Sequence, residues 1–405
     1  MAVVRDWFWR IVRWEHFFLL LILLVTLGMH AVIINNPTDT VLDEIHYVKD
    51  ARKIISENMT ERQEHPPLGK LFVVGGVEML GDNAYGWRIF PIICGTAMII
   101  FFYFLCRNLG MSKTATNIAT FLLAFENMTF THASITMLDI YYVTFMVLAF
   151  MLYAGKRYIS SGVAIGLAGL SKLQGAMAAP VVGIHWLFSR KQGHTKWFIL
   201  TALFSVIVFV EIGMLLDFAI VKEFSNFINP VKRIQDMLSL SGSLTFENVE
   251  HPALTRPWEW LLKYTPMAYY ISPIHYNGAI SFSTWALAIP TFIYTVILWI
   301  KRKSEAALFA AAWFFGTWVL WIPASYITDR SSYPYYFLPT VGAICLGMGI
   351  GLARLIEIFK SRERGKVKWT CFAAVVLILL VHVGSFVILS PVFNFDYSWF
   401  IQMIA

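Results

Sequence analysis

The chain has 405 residues, of which 58% are hydrophobic and 14% are charged. Soluble domains carry about 25% charged residues, so this composition excludes a soluble globular protein and predicts a polytopic membrane protein. The net charge of +7 falls mostly in short segments that flank apolar runs, which is typical of membrane-bound chains and gives no indication of nucleic-acid binding.

Apolar runs of about 20 residues are long enough to cross a bilayer. They predict eleven spans, of which the run at 158–171 is short and rich in glycine. The spans lie near 17–34, 87–106, 114–130, 134–153, 158–171, 173–189, 197–219, 280–300, 305–323, 335–353 and 369–390. The sequence thus predicts an all-α polytopic membrane protein with a single integral domain over residues 1–405.

Positive charge indicates how the spans are oriented, because cytoplasmic loops retain Lys and Arg. If the N-terminus is cytoplasmic, six short basic segments all fall on the cytoplasmic side. This orientation places residues 35–86 and 220–280 on the opposite face. Arg5, Arg10 and Arg13 precede the first span, which predicts a retained signal anchor.

The two outer segments contain amphipathic patterns. Apolar residues recur at three- and four-residue steps from Thr40 to Asn58 and predict a helix, and a second helix is predicted from Leu68 to Leu80. Both are too short to span a bilayer, so we expect them to lie along its surface. A third such helix is predicted over residues 228–241.

The first outer loop gathers ionisable residues. Asp43 and Glu44 are neighbours on the first predicted helix, so their side chains point about 100° apart and cannot share one role. Acidic residues also favour the first turn of any helix. His65 lies in an extended turn fixed by two prolines, and Lys70 lies in the first turn of the second helix, where it would suit an anionic phosphate. Lys70 and Arg88 equally fit the alternative of cations that reach the interface.

Three blocks of this region carry a family resemblance. Leu42 to Tyr47, His65 to Lys70 and Trp87 to Pro91, in this order and spacing, resemble the amino-terminal half of the dolichyl-phosphate-mannose–protein mannosyltransferase family. Glu126 to Asp139 is similar to a further block of that family, although Ser134 stands where the family usually has arginine.

The resemblance continues downstream. Gly166 to Gly175, with Lys172, is similar to a glycine-rich segment of the family. Arg256 to Trp260 resembles the block that opens its carboxy-terminal membrane region, and Arg330 with Tyr335 to Pro339 resembles its late tyrosine-rich helix start. We expect a short form, without the soluble domain that longer eukaryotic relatives insert between spans.

The resemblance implies a GT-C fold with the predicted eleven spans. It also implies an inverting transfer of mannose, or a similar hexose, from a polyprenyl-phosphate donor to Ser/Thr hydroxyls of a protein or peptide acceptor. Asp43 is implied as the general base, with Glu44 as its support. The side chains implied for the donor phosphate and sugar are His65, Lys70, Arg88, Asp139, Lys172 and Arg330.

The resemblance also implies an enzyme integral to the bilayer, with its site on the non-cytoplasmic face of a prokaryotic cell membrane or of a eukaryotic endoplasmic reticulum membrane. A divalent cation, Mg²⁺ or Mn²⁺, and a dimer are left open. One alternative is a GT-C enzyme that glycosylates a lipid or a cell-envelope glycan. Another is a secondary transporter, for which Glu211 within the seventh span would be the mark.

Overall fold

The structure is a computed structural model that describes residues 14–189, 193–222, 229–361 and 365–395. The predicted signal anchor depends on Arg5, Arg10 and Arg13, which lie outside these ranges, as does Ile228 at the start of the third predicted surface helix. The signal anchor therefore stays a prediction.

Within the described ranges the secondary structure is almost entirely helical. The strands found there are Ala268–Tyr270 (β1) and Tyr276–Asn277 (β2), which pair antiparallel with Tyr270 opposite Tyr276. The prediction of an all-α fold is confirmed.

The helices follow one another with short connections. Those of the first half are Phe17–Ile33 (α1), Glu44–Glu57 (α2), Pro67–Leu80 (α3), Ala84–Asn108 (α4), Lys113–Ala124 (α5), Asn127–Ser134 (α6), Leu138–Ala154 (α7), Tyr158–Ser171 (α8) and Ala178–Phe188 (α9). Those of the second half are Thr195–Val221 (α10), Pro230–Gly242 (α11), Glu259–Leu262 (α12), Phe282–Arg302 (α13), Glu305–Thr328 (α14), Leu338–Ser361 (α15) and Lys366–Leu389 (α16). Short 3₁₀ turns at Leu173–Met177 and Pro334–Phe337 precede α9 and α15.

Six helices of the described part are long and apolar enough to cross a membrane, namely α4, α10, α13, α14, α15 with its preceding turn, and α16. The pair α6 and α7 is bent by 115° and would add a seventh span if counted as one. α1, α8 and the segment Leu173–Phe188 are apolar but shorter. The chain is a multi-pass membrane protein, and the predicted count of eleven spans is not confirmed.

The predicted span at 114–130 is interrupted. α5 ends at Ala124, and the chain turns before α6 begins at Asn127. The buried Glu126 side chain caps α6, since its Oε2 accepts the backbone N–H of Thr129 at 2.9 Å. Apolar residues on both sides of the break, such as Phe125 and Phe130, led to the prediction of one span, although Glu126 and Asn127 at the break are polar.

A loop from the second half of the chain forms hydrogen bonds with the two residues at the break. Glu126 Oε1 accepts the backbone N–H of Ser281 at 2.7 Å. The Asn127 side-chain amide donates to the backbone carbonyls of Asn277 and Ala279 at 3.0 and 2.8 Å. These bonds satisfy backbone groups that the helix break and the loop would otherwise leave unpaired at a fully buried place.

Both helices predicted in the first outer loop are confirmed. The helix expected over 40–58 is α2, and it ends where Asn58 adopts the left-handed conformation (φ 53°). The helix expected over 68–80 is α3, whose first residue is Pro67. Proline suits that position because its fixed φ fits a helix and its missing N–H would have no intrahelical partner there.

Close helix packing in the membrane region depends on small residues. A Cβ atom at Gly349 of α15 would lie 2.6 Å from the Ala119 Cβ and 2.8 Å from the Ala115 carbonyl oxygen of α5. Gly351, two residues later, has an ordinary contact instead, since its Cβ would lie 3.7 Å from the Tyr294 ring. α15 and α5 therefore touch through backbone at Gly349.

We expect Gly349→Ala to lower the free energy of unfolding by about 1–3 kcal/mol, because the added methyl forces the two helices apart. Denaturant-induced unfolding of the purified protein in detergent measures this change. Gly351→Ala on the same helix is the matched control and should leave stability nearly unchanged. Equal stability of the two variants would contradict the packing described for Gly349.

Candidate functional site

A cavity of about 440 Å³ opens where the first outer loop meets the second half of the chain. Its walls come from the start of α2, the turn before α3, the end of α11 and the segment before α15. Charged and histidine side chains in these walls are Asp43, His46, Arg62, Glu64, His65, Lys172, His251 and Arg330, with Tyr47, Tyr333, Tyr335 and Tyr336 as the aromatic lining.

Asp43 lines the cavity from the N-terminal end of α2. Its side chain makes no capping hydrogen bond to that helix, so the carboxylate is directed elsewhere. Burial raises the pKa of Asp43 above its ordinary value, and the nearby Lys172 partly offsets that rise. The result is a half-buried carboxylate whose proton affinity is greater than that of an ordinary aspartate.

Glu44 does not line the cavity and is fully buried. Its carboxylate accepts hydrogen bonds from Arg88 Nη2 at 2.9 Å and Arg88 Nε at 3.1 Å. It also accepts the backbone N–H groups of Val41 at 2.9 Å and Thr136 at 2.8 Å. The predicted divergence of the two adjacent acids is therefore confirmed, and Glu44 supports the loop rather than lining the cavity.

Arg88 does not reach the cavity, contrary to the expectation that it contacts a phosphate. Beyond its two bonds to Glu44, it donates to the carbonyl oxygens of Ile34 at 3.0 Å, Pro37 at 2.7 Å and Asp39 at 2.8 Å. The side chain is completely buried. Because the guanidinium donates hydrogen bonds to three carbonyls of the segment between α1 and α2, Arg88 fixes the path of the chain there.

Lys70 is also turned away from the cavity. It donates to the Thr60 hydroxyl at 2.7 Å and to the Arg62 carbonyl, and it lies 3.8 Å from Asp50. Burial lowers the pKa of Lys70 to about 8. The expectation of a phosphate contact is corrected here as well: Lys70 holds the turn that carries Arg62 into the cavity wall.

Lys172 and Asp139 form a buried ion pair at the inner wall. Lys172 Nζ lies 3.0 and 2.8 Å from the two carboxylate oxygens of Asp139. Lys172 lines the cavity and lies 5.9 and 5.5 Å from the ring centres of Tyr335 and Tyr336, within reach of a cation–π interaction. Asp139 is not part of the cavity wall. It lies behind the wall and contacts Lys172 from that side.

Arg330 enters the cavity from the segment that follows α14. Among the residues that the structure describes, the buried Nε of Arg330 has no hydrogen-bond partner, and its guanidinium has no carboxylate within 4.0 Å. An arginine with a free donor in a cavity wall is suited to an anionic ligand. Two predicted cations line the cavity. Lys172 is paired with Asp139, whereas the Nε–H of Arg330 is available to a ligand.

His65 lines the cavity beside Tyr47, whose ring centre is 5.8 Å away. Burial lowers the pKa of His65 well below its ordinary value, and Lys172 and Lys70 add to the effect. The imidazole is therefore neutral at neutral pH and can act as a hydrogen-bond donor or acceptor.

Several lining residues were not singled out from the sequence. Arg62 and Glu64 lie in the turn just before His65, with Arg62 Nη1 3.5 Å from Glu64 Oε1. Ser241 and His251 come from the second outer segment. Arg62 could have been indicated by its charge and its position just before the block His65 to Lys70. Nothing in the sequence around Ser241 distinguishes that residue.

The acidic pair does not form a metal-ligand set. The Glu44 carboxylate is taken up by Arg88 and two backbone N–H groups, and Asp139 is paired with Lys172. In the described part of the chain, no three His, Cys, Asp or Glu side chains lie close enough together to hold a metal ion. Asp43 is left as a single carboxylate, so no step is assigned to a metal here.

Glu211, the residue on which a transporter would depend, lies in a π-helical turn of α10 and is exposed on the outside of the bundle. It does not line the cavity. Its position gives no support to a substrate path through the bundle.

The arrangement of helices confirms the predicted GT-C fold. It matches the structure of the Saccharomyces cerevisiae protein O-mannosyltransferase Pmt1-Pmt2 complex bound to the sugar donor with a TM-score of 0.74, over 94% of this chain and 90% of that one, at 12% identity. At this identity the likeness concerns the fold.

The sequence comparisons support the resemblance to a particular family. A profile described as dolichyl-phosphate-mannose-protein mannosyltransferase matches residues 64–213. A polyprenol-phosphate-mannose–protein mannosyltransferase of Mycolicibacterium smegmatis is 28% identical over 29% of this chain and 24% of its own length. A Corynebacterium glutamicum protein of the same name is 23% identical over 81% of this chain and 77% of its own. The resemblance predicted from the sequence is thus confirmed, and the match to the first of these relatives spans about a quarter of that protein.

We expect Arg88→Gln to lower the free energy of unfolding by about 3–5 kcal/mol, because Glu44 would remain as an uncompensated buried charge. Denaturant unfolding in detergent measures the change. The control is Arg52→Gln, which removes an exposed pair with Asp82 at 2.7 Å and should change stability by at most about 1 kcal/mol. Similar small losses in both variants would rule out a structural role for the Glu44–Arg88 pair.

Proposed function

We propose that this chain transfers mannose, or a similar hexose, from a polyprenyl-phosphate donor to Ser/Thr hydroxyls of proteins. The observation that carries the proposal is one cavity with Asp43 on one wall and the cations Arg330 and Lys172 on others. Such a cavity offers a base to an acceptor hydroxyl and positive charge to a leaving phosphate. The family resemblance supplies the sugar and the lipid carrier.

The proposed reaction is a single displacement at the anomeric carbon. The acceptor hydroxyl oxygen forms a bond to that carbon while the bond from the carbon to the phosphate oxygen breaks. The bonding electrons leave with the polyprenyl phosphate, and the hydroxyl proton passes to the Asp43 carboxylate. Attack opposite the leaving group inverts the configuration, through a transition state with oxocarbenium character.

The cations of the cavity stabilise the charge that develops on the leaving phosphate. Arg330 brings an unpaired Nε–H, and Arg62 is held in the wall by the turn that Lys70 anchors. Lys172 is partly neutralised by Asp139, which fixes the position of its ammonium group between that carboxylate and the two tyrosine rings. Neutral His65 supplies a further hydrogen bond to the phosphate or sugar.

The position of the cavity agrees with a donor that stays in the bilayer. The outer loop that forms it lies on the side that the Lys and Arg distribution predicts to be non-cytoplasmic. We therefore propose that the sugar is transferred at the outer face of a cell membrane, or at the luminal face of the endoplasmic reticulum in a eukaryote. The similar yeast structure is a complex of two proteins, and we include a dimer in the proposal.

A transfer assay distinguishes this proposal from its alternative. Membranes containing the protein are incubated with polyprenyl-phosphate mannose and a Ser/Thr peptide, and the label is followed into peptide, lipid and glycan. Labelled peptide is the expected product. Label in lipid or glycan alone would replace the protein acceptor with an envelope acceptor while leaving the donor assignment intact.

Asp43→Asn should reduce turnover by about 10²- to 10⁴-fold, which is the usual contribution of a general base. Asp236→Asn, on the exposed surface of α11, is the control and should retain full activity. Retained turnover in Asp43→Asn would remove this residue from the role of base.

The pH dependence of kcat/KM tests the same role independently. The base must be ionised, so activity falls as pH drops through the pKa of Asp43. Because burial raises that pKa above its ordinary value of 3.8, we expect the fall to begin at a higher pH than for an exposed aspartate. An acidic limb at the ordinary aspartate value would contradict the effect of burial described for Asp43.

Arg330→Gln should lower kcat/KM for the donor by about 10- to 100-fold, since a hydrogen bond to a charged group contributes about 1.5–3 kcal/mol. Initial rates at varied donor concentration measure the effect. Arg157→Gln, an exposed arginine at the start of α8, controls for the loss of one positive charge. An equal effect of both substitutions would show that Arg330 acts only through net charge.

A further inference from the structure

A second cavity lies at the other end of the bundle. It has a volume of about 240 Å³ and is bounded by the α4–α5 connection, the end of α13 and the later part of α15. Arg354, in its wall, is roughly 24 Å along α15 from Leu338 at a rise of ~1.5 Å per residue. The polar side chains of this wall are Ser112, Tyr294, Arg302, Ser304, Arg354 and Glu357.

An apolar groove of about 400 Å³ continues from this cavity along α13, α15 and α16. The two share Tyr294 and Arg354 as lining residues, so they adjoin one another. Aliphatic side chains, such as Leu355 and Ile378, form the walls of the groove, and Gly347 and Gly351 leave room along α15. The volume and the apolar lining of the groove suit a hydrocarbon chain.

The cavity at the end of the groove carries an excess of positive charge. Arg354 Nη1 lies 2.9 Å from Glu357 Oε2, but the two side chains are 47% and 58% exposed, so this pair binds weakly. Arg302 has no carboxylate within 4.0 Å in the part of the chain that the structure describes. Arg302 is the last residue of α13, and Arg354 lies in the last third of α15. The charge distribution predicts that both helices end on the cytoplasmic side, where basic pockets between spans bind anionic headgroups.

We propose that the cavity and the groove together bind one anionic phospholipid. Its headgroup phosphate lies between Arg302 and Arg354, and one of its acyl chains follows the groove past Gly351. A free phosphate would use only the polar cavity and would leave the apolar groove without a role. The site is independent of the proposed sugar transfer, because it shares no lining residue with the first cavity.

Lipid binding to the delipidated full-length chain tests the headgroup contact. Native mass spectrometry compares phosphatidylglycerol with phosphatidylcholine of the same acyl chains. We expect preference for phosphatidylglycerol, and about tenfold weaker binding in the double variant Arg302→Gln/Arg354→Gln, since each basic residue adds to anionic-lipid binding. The matched control, Lys301→Gln/Lys303→Gln, removes the same charge from exposed residues outside both walls and should weaken binding clearly less than the double arginine variant does.

Gly351→Leu tests the acyl-chain contact. A Cβ at this position would meet the Tyr294 ring at 3.7 Å, an ordinary contact, and the rest of a leucine side chain would occupy space in the groove that Gly351 lines. We expect it to reduce binding of phosphatidylglycerol without changing the melting temperature of the lipid-free protein or the binding of inorganic phosphate. Equal binding of the two lipids, equal losses in the two double variants, or full lipid binding by Gly351→Leu would each overturn the proposal.

Discussion

The buried ion pair between Glu44 and Arg88 is the interaction on which the candidate site depends. A guanidinium and a carboxylate removed from water must satisfy one another and their remaining hydrogen-bonding positions within the protein. Here the backbone carbonyls of Ile34, Pro37 and Asp39 accept the remaining hydrogen bonds of the Arg88 guanidinium. The irregular segment between α1 and α2 is thereby held against α4. Asp43, one residue before the buried glutamate, is left facing the cavity.

Local rules were sufficient for the elements of the first outer loop. Helical periodicity predicted α2, a short apolar stretch after two prolines predicted α3, and the 100° step between neighbouring residues predicted that Asp43 and Glu44 would diverge. These features depend on residues close in sequence. The same rules did not predict which cations face the cavity, because that depends on carbonyl groups and side chains brought close only by folding. The side chains of Arg88 and Lys70 bind groups of the first outer loop, whereas Arg62 lines the cavity.

The opposite wall of the cavity was accessible only through the family resemblance. Lys172 and Arg330 are far apart in the sequence, and no periodicity connects them. The structure brings both to one cavity with Tyr335 and Tyr336. The span count shows the limit of hydropathy in another way, since the stretch 114–130, predicted as one span, contains a point where the helix ends. A buried glutamate within that run was the sequence sign of the break.

The bonds that Glu126 and Asn127 make to the loop at 277–281 also bear on how the protein is assembled in the membrane. The break between α5 and α6 is satisfied by backbone groups that are synthesised about 150 residues later. Until that loop arrives, the early helices carry polar groups without their final partners. The break between α5 and α6 therefore gains these hydrogen-bond partners only after residues 277–281 have been synthesised, so this part of the bundle cannot complete its packing from the early helices alone.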